Sequence, residues 1–183
     1  MSRKILIIDD REKRPYLHLP VEVVDTIKSL PGVSFQSGVH GVSLDDYDII
    51  AIHGSYMKTQ GLFDSLRALG TYLIIFSGGI SETTSSARGR IVTMGSEVFY
   101  SNKLLPFCRN VIEGEAEIQP FKLIYGIDGW QLPMFMRLRQ LDWLDKENDN
   151  FDAEEEKKEL MGMLSVESIK EVERKIHELS LGI

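Results

Sequence analysis

At 183 residues, with 43% hydrophobic and 27% charged side chains, the chain has the composition of a folded globular protein, far from the polar, highly charged regime of disorder. A net charge of −7 and a pI near 5.2 argue against a protein that works by neutralising phosphates, so nucleic acid is not an expected partner. The single cysteine, Cys108, excludes an internal disulfide and a multi-cysteine zinc site, and fits a reducing, cytoplasmic setting.

The length suits one domain plus an appendage. The first 120 residues carry 12 Lys and Arg against 14 Asp and Glu, and the remainder 9 against 14, so the acidity concentrates in the tail. The longest apolar runs, "ILII" and "YLIIF", are strand-sized, and no membrane association is expected. "MSRKILIIDD" runs directly into a strand, without the features of a signal peptide.

"KILIID", Lys4 to Asp9, is a short apolar run closed by acids, the pattern of a strand buried on both faces of a parallel sheet. "PVEVVDTIKSLPG" places Val21, Val24, Ile27 and Leu30 on one helical face before Pro-Gly stops it. "VSFQS" predicts a second strand, and "SLDDYDIIAIHGS" leaves room for one helical turn before a third strand at Asp48 to His53. "GLFDSLRALG" then predicts a helix and "TYLIIFSGG" a fourth strand, so the chain alternates strand and helix.

"ISETTSSARGR" reads as a loop. Two registers follow. In one, "RIVTMG" (Arg90 to Gly95) is the fifth strand and a helix opened by Ser96 is kinked or broken at Pro106; in the other, "EVFYS" is the strand and the last helix begins near Pro106. "FKLIYG", Phe121 to Gly126, suggests an extra strand. Two helices close the tail: Asp152 and Glu155 have capping-box spacing, and Ser165 can cap the run of Val166, Ile169, Val172, Ile176 and Leu179. That stripe is too short for a coiled coil and reads as an amphipathic helix packing on its own domain. The expected division is an α/β domain over 1–115 and a C-terminal extension over 116–183, with a possible strand and two or three helices.

In an open parallel α/β sheet ligands bind at the carboxyl ends of the strands. That rule selects Asp9 and Asp10 after strand one, His53, Gly54 and Ser55 after strand three, and Ser77, Gly78 and Gly79 after strand four. A strand order 2-1-3-4-5 would bring them together. His53 has two readings, a strand-end histidine hydrogen-bonded to an acid, or a metal ligand with Asp9 or Asp10. "SGGISETTSS" could turn backbone amides toward an anion or form a solvated loop.

"LIIDD", "YDIIAIHGSYM" and "LIIFS", in that order, resemble the receiver domain of bacterial response regulators, over residues 3 to 113. The resemblance implies a flavodoxin-like parallel sheet. It maps Asp9 and Asp10 onto the family's Mg²⁺-binding acids and Ser77 onto its hydroxyl residue. Lys103 maps onto its lysine in the second register only, through "FYSNKLLPF". His53 occupies the place of the phospho-acceptor aspartate, and an imidazole cannot both attack phosphorus and bridge to Mg²⁺ as a carboxylate does. The family implication is a pseudo-receiver, regulating through protein contacts without aspartyl phosphorylation; no cofactor is expected, a divalent metal at Asp9, Asp10 and His53 being the alternative.

A protein partner or a second copy is expected at the C-terminal helices or at the surface formed by the last strand and helix, with Trp130, Trp143 and the stripe ending in Leu179 as candidates for contact. The competing expectation is a small metal- or phosphate-dependent hydrolase built on Asp9, Asp10, His53 and the "SGG" loop. An amidotransferase-like enzyme fits less well: Cys108 in "LPFCRNV" lacks a glycine elbow, and "HGSYM" and "FSGGI" lack the Gly-x-Ser-x-Gly frame.

Overall fold

The computed structural model describes residues 3–10, 19–80, 85–114, 120–126, 130–147 and 153–180. These residues form an α/β fold around one six-stranded sheet. The strands are β1 (Ile5–Ile8), β2 (Val33–Gln36), β3 (Ile49–His53), β4 (Tyr72–Ser77), β5 (Ser86–Arg88) and β6 (Ile91–Gly95), in the order β2-β1-β3-β4-β6-β5. Five of them run parallel, and β5 pairs antiparallel with β6 at the edge.

The order therefore differs from the expected 2-1-3-4-5 by one inserted edge strand. The segment read as a loop contributes β5, which turns at Gly89 and runs back along β6, with Ser86 and Thr93 joined by a 2.8 Å side-chain hydrogen bond. At Gly89 the backbone is left-handed (φ 55°), a conformation glycine adopts without penalty.

Alternating residues of the central strands feed two cores, which is why their sequences read as continuous apolar runs. Ile5, Ile7, Ile49, Ala51, Ile74 and Phe76 enter the larger core on one face, while Leu6, Ile8, Ile50, Ile52 and Leu73 enter the smaller one on the other. The smaller core is covered by α2 (Leu62–Ala68) through Leu62 and Leu66. The larger is covered by α1 (Val21–Ser29) through Val24 and Ile27, and by α4 (Leu104–Glu113) through Leu104, Phe107, Cys108 and Val111.

Of the two registers, the first is observed. "RIVTMG" supplies β6, and "SEVFYSNKLLPF" divides into a one-turn helix α3 (Ser96–Phe99) and α4. Pro106 sets the division: within the first turn of α4 its missing N–H costs nothing, whereas a continuous helix from Ser96 would lose a bond there.

"FKLIYG" is not a strand. Lys122–Tyr125 form a short helix, α5, followed by α6 (Gln131–Glu147), α7 (Glu154–Met163) and α8 (Val166–Ser180). The extension is thus all helix among its described residues. Leu123, Met134, Leu138, Leu141, Leu160 and Val172 join the same core as Ile5 and Phe76, so one apolar core runs through both segments. Glu159 of α7 accepts a 2.8 Å bond from the Gly89 N–H, clasping the β5–β6 turn. Ser165 caps α8 by accepting from the Ser168 N–H, as its sequence position suggests, whereas α7 begins after Ala153 and Asp152 lies outside the described residues.

Of the two tryptophans only Trp143 stands in solvent, 60% exposed. Trp130 packs edge-on against Phe121 and contacts the core. In α8, Val172 is buried and Ile169 half-buried, which holds that helix on its own core; Val166 is exposed, and the Leu179 side chain lies outside the described residues.

Candidate functional site

The parallel register brings the strand ends together. Ile8 stands beside Ile52, so Asp9 and His53 leave adjacent strands side by side; His53 in turn stands beside Phe76, with Ser77 one residue further along β4. Strand alternation directs Asp9, His53 and Phe76 to the face of the larger core, after Ile7, Ala51 and Ile74.

Asp9 is buried, 7% exposed, and accepts a 2.7 Å hydrogen bond from the Tyr100 hydroxyl just beyond α3. The Tyr100 ring is fixed by aromatic neighbours, edge-on to Phe76 at 5.5 Å and to Phe99 at 4.9 Å, while Phe76 and Phe99 stack at 4.1 Å. The first acid of "IIDD" is therefore held inside, and the second, Asp10, is exposed.

His53 ends β3 and its ring lies edge-on to Phe76 at 5.5 Å. The chain continues into a 3-10 turn, Gly54–Lys58, which His53 caps: the Ser55 backbone N–H donates to Nδ1 at 3.3 Å, and the Ser55 hydroxyl oxygen lies 2.8 Å from the same nitrogen. A backbone N–H can only donate, so Nδ1 is an acceptor and the neutral ring carries its proton on Nε2. Ser55 itself is exposed.

Tyr56 follows, its hydroxyl donating to the Ser37 carbonyl at 2.5 Å and so tying the turn to the end of β2. Burial raises its phenol pKa, and the charges of Asp10 and then Asp9 add to the effect, which places both acids in the field of this hydroxyl.

Ser77 accepts from the Gly79 N–H at 3.3 Å, and Gly78 and Gly79 form an exposed turn. Gly54 lies close against the end of β4: a Cβ there would lie 3.2 Å from the Ser77 Cβ and 3.6 Å from its hydroxyl. The strand-end residues Asp9, Asp10, His53, Ser55, Ser77, Gly78 and Gly79 thus share one end of the sheet.

Lys103 does not join them by the route expected of it. Because "EVFYS" is helix and turn, Lys103 is the residue before α4, and its ammonium donates to the carbonyls of Leu123 (3.4 Å) and Ile124 (3.2 Å) in α5. It serves as a fastener between the two segments. Among the described residues no three His, Cys, Asp or Glu side chains are grouped to hold a metal ion.

Tyr100 and Tyr56 were missed as site residues. Tyr56 sits in "HGSYM" directly after the strand end and could have been found from that position; Tyr100 becomes visible only once α3 is folded back over the sheet. Comparison with protein-family models, with curated proteins and with solved structures gives no significant match to this chain.

Proposed function

We propose that this chain is a regulatory protein-interaction module, a flavodoxin-like relative of receiver domains that does not use aspartyl phosphorylation. The order β2-β1-β3-β4-β6 of the parallel strands supports the kinship, since it sets the Asp9–Asp10 pair beside the end of β3. One observation carries the functional reading: where the reactive carboxylate would stand, His53 has its Nδ1 occupied by Ser55. Transfer to an aspartate also requires a cation to offset charge on the phosphoryl oxygens, and the Lys103 ammonium is bound to α5 carbonyls instead.

A module of this kind acts through its surface. Met136, Trp143, Met161 and Val166, on α6, α7 and α8, are large apolar side chains exposed on the helical extension, which favours a protein partner or a second copy docking there in the cytoplasm. No described helix is long and apolar enough to cross a membrane. Incubation with acetyl phosphate and Mg²⁺, followed by intact mass spectrometry, tests the reading: no phosphoryl group is added, and a stoichiometric phosphoryl adduct would overturn it.

A further inference from the structure

The contact between His53 and Ser55 has a chemical meaning that its capping role does not exhaust. Ser55 lies on an exposed turn, open to a reagent from solvent, while the base beside it is held by the end of β3 and by the Phe76 ring. At 2.8 Å the hydroxyl is at hydrogen-bonding distance from a nitrogen that the Ser55 N–H already identifies as an acceptor. That is the relation a serine nucleophile needs to its base: the proton has somewhere to go as the oxygen attacks.

A third group stands close by. Ser77 Oγ accepts from the Gly79 N–H, which leaves its own proton available to donate, and it lies close against Gly54, the residue before Ser55. We infer that Ser55 is a nucleophile toward activated carboxylic esters, with His53 as its general base and the Ser77 hydroxyl as a donor to the developing oxyanion.

In the step, Ser55 Oγ bonds to the carbonyl carbon, the Oγ proton passes to His53 Nδ1, and the bond from carbon to the leaving oxygen breaks. The leaving alkoxide then takes the proton from Nδ1, and the acyl group remains on Ser55. The geometry differs from the glycine-elbow hydrolases in that base and nucleophile sit two residues apart on one turn, so a Gly-x-Ser-x-Gly frame is not needed to bring them together. This inference does not depend on the interaction-module reading, because it concerns reactivity of the isolated chain and needs no partner.

A fluorophosphonate probe tests it. Attack by Ser55 Oγ forms an O–P bond, breaks the P–F bond and releases fluoride, while the proton goes to His53. The folded protein is expected to take up one probe, mapped to Ser55 by peptide mass spectrometry, at least about tenfold faster than the urea-unfolded chain. Ser55→Ala should abolish labelling, and His53→Gln should slow it about 100-fold, the general scale of a positioned base. Ser77→Ala should slow it about tenfold. Circular dichroism and urea midpoints establish that each variant is folded. Labelling no faster than in the unfolded chain, labelling at another residue, or a folded His53→Gln protein reacting at the wild-type rate would each overturn the inference, and the first comparison requires no variant.

Discussion

Replacing Tyr100 by phenylalanine isolates the bond that holds Asp9 inside the fold. The phenyl ring keeps the edge-on contacts with Phe76 and Phe99, so what is lost is the hydroxyl that donates to the Asp9 carboxylate at 2.7 Å. Both residues are buried, Tyr100 at 0% and Asp9 at 7% exposure, so water cannot readily replace the donor. A hydrogen bond to a charged group contributes about 1.5–3 kcal/mol, and the variant should lose about 2 kcal/mol. With an m-value of about 2 kcal/mol per molar urea this is a fall of about 1 M in the unfolding midpoint. Urea titration followed by circular dichroism measures it. A loss below about 0.5 kcal/mol would refute the argument that the first acid of "IIDD" is anchored through this phenol.

The glycines offer a paired test. A Cβ at Gly95 would lie 2.5 Å from the Ile80 carbonyl oxygen, a backbone atom, so Gly95→Ala should cost about 2–3 kcal/mol; Gly162, within α7 with nothing within 4 Å of its Cβ position, should gain about 0.5–1 kcal/mol as alanine. Chemical denaturation of the two variants reads both signs. Glu156→Gln breaks the 3.1 Å ion pair with Arg137 that joins α6 to α7, and with side chains only 7% and 15% exposed it should cost about 2–3 kcal/mol, whereas the double change Arg137→Met with Glu156→Leu should recover part of that loss in the same assay. Alkaline stability is set in part by two acids that burial keeps protonated: the Cys108 thiol is pushed from 9.0 up to about 12, and the Tyr125 phenol from 10.0 up to about 12, through burial first and the Glu156 charge second. Both folded-state values are raised, so their stabilisation is complete below about pH 9 and is lost as pH climbs toward 12. Each group contributes a slope of up to about 1.4 kcal/mol per pH unit in that window, and Cys108→Ala should flatten the decline of the urea midpoint between about pH 9 and 10.

Much of the sheet was legible because its strands are buried on both faces. "KILIID", "DIIAIH" and "YLIIFS" announce themselves as unbroken apolar runs, and each appears as a strand within a residue or two of its expected bounds. β5 was hidden because "SAR" has no local strand signal and exists through pairing with β6. "FKLIYG" misled for the opposite reason. Phe121, Leu123 and Tyr125 alternate as in a strand and all three are buried, yet the segment is a helix whose Leu123 and Ile124 carbonyls are bound by Lys103, twenty residues away in sequence and invisible to any local pattern.

The site divides along the same line. Strand-end position alone located Asp9, His53 and Ser77, since the parallel register follows from the apolar runs. The bonds these residues make do not: Tyr100 reaches Asp9 across 91 residues, and its role requires α3 to break before Pro106. The contact of His53 with Ser55 is local, and "HGS" held it in view without revealing the direction of the imidazole.

The proposed reading rests on an imidazole held against Ser55 at the end of β3, and the protonation state of that ring tests this contact most directly. Nitrogen-15 NMR of histidine-labelled protein at neutral pH distinguishes the two ring nitrogens. The account predicts that His53 Nδ1 is an unprotonated acceptor and Nε2 carries the proton, with the Nδ1 resonance shifting in Ser55→Ala. A proton resident on Nδ1, or a His53 spectrum indifferent to Ser55→Ala, would contradict it.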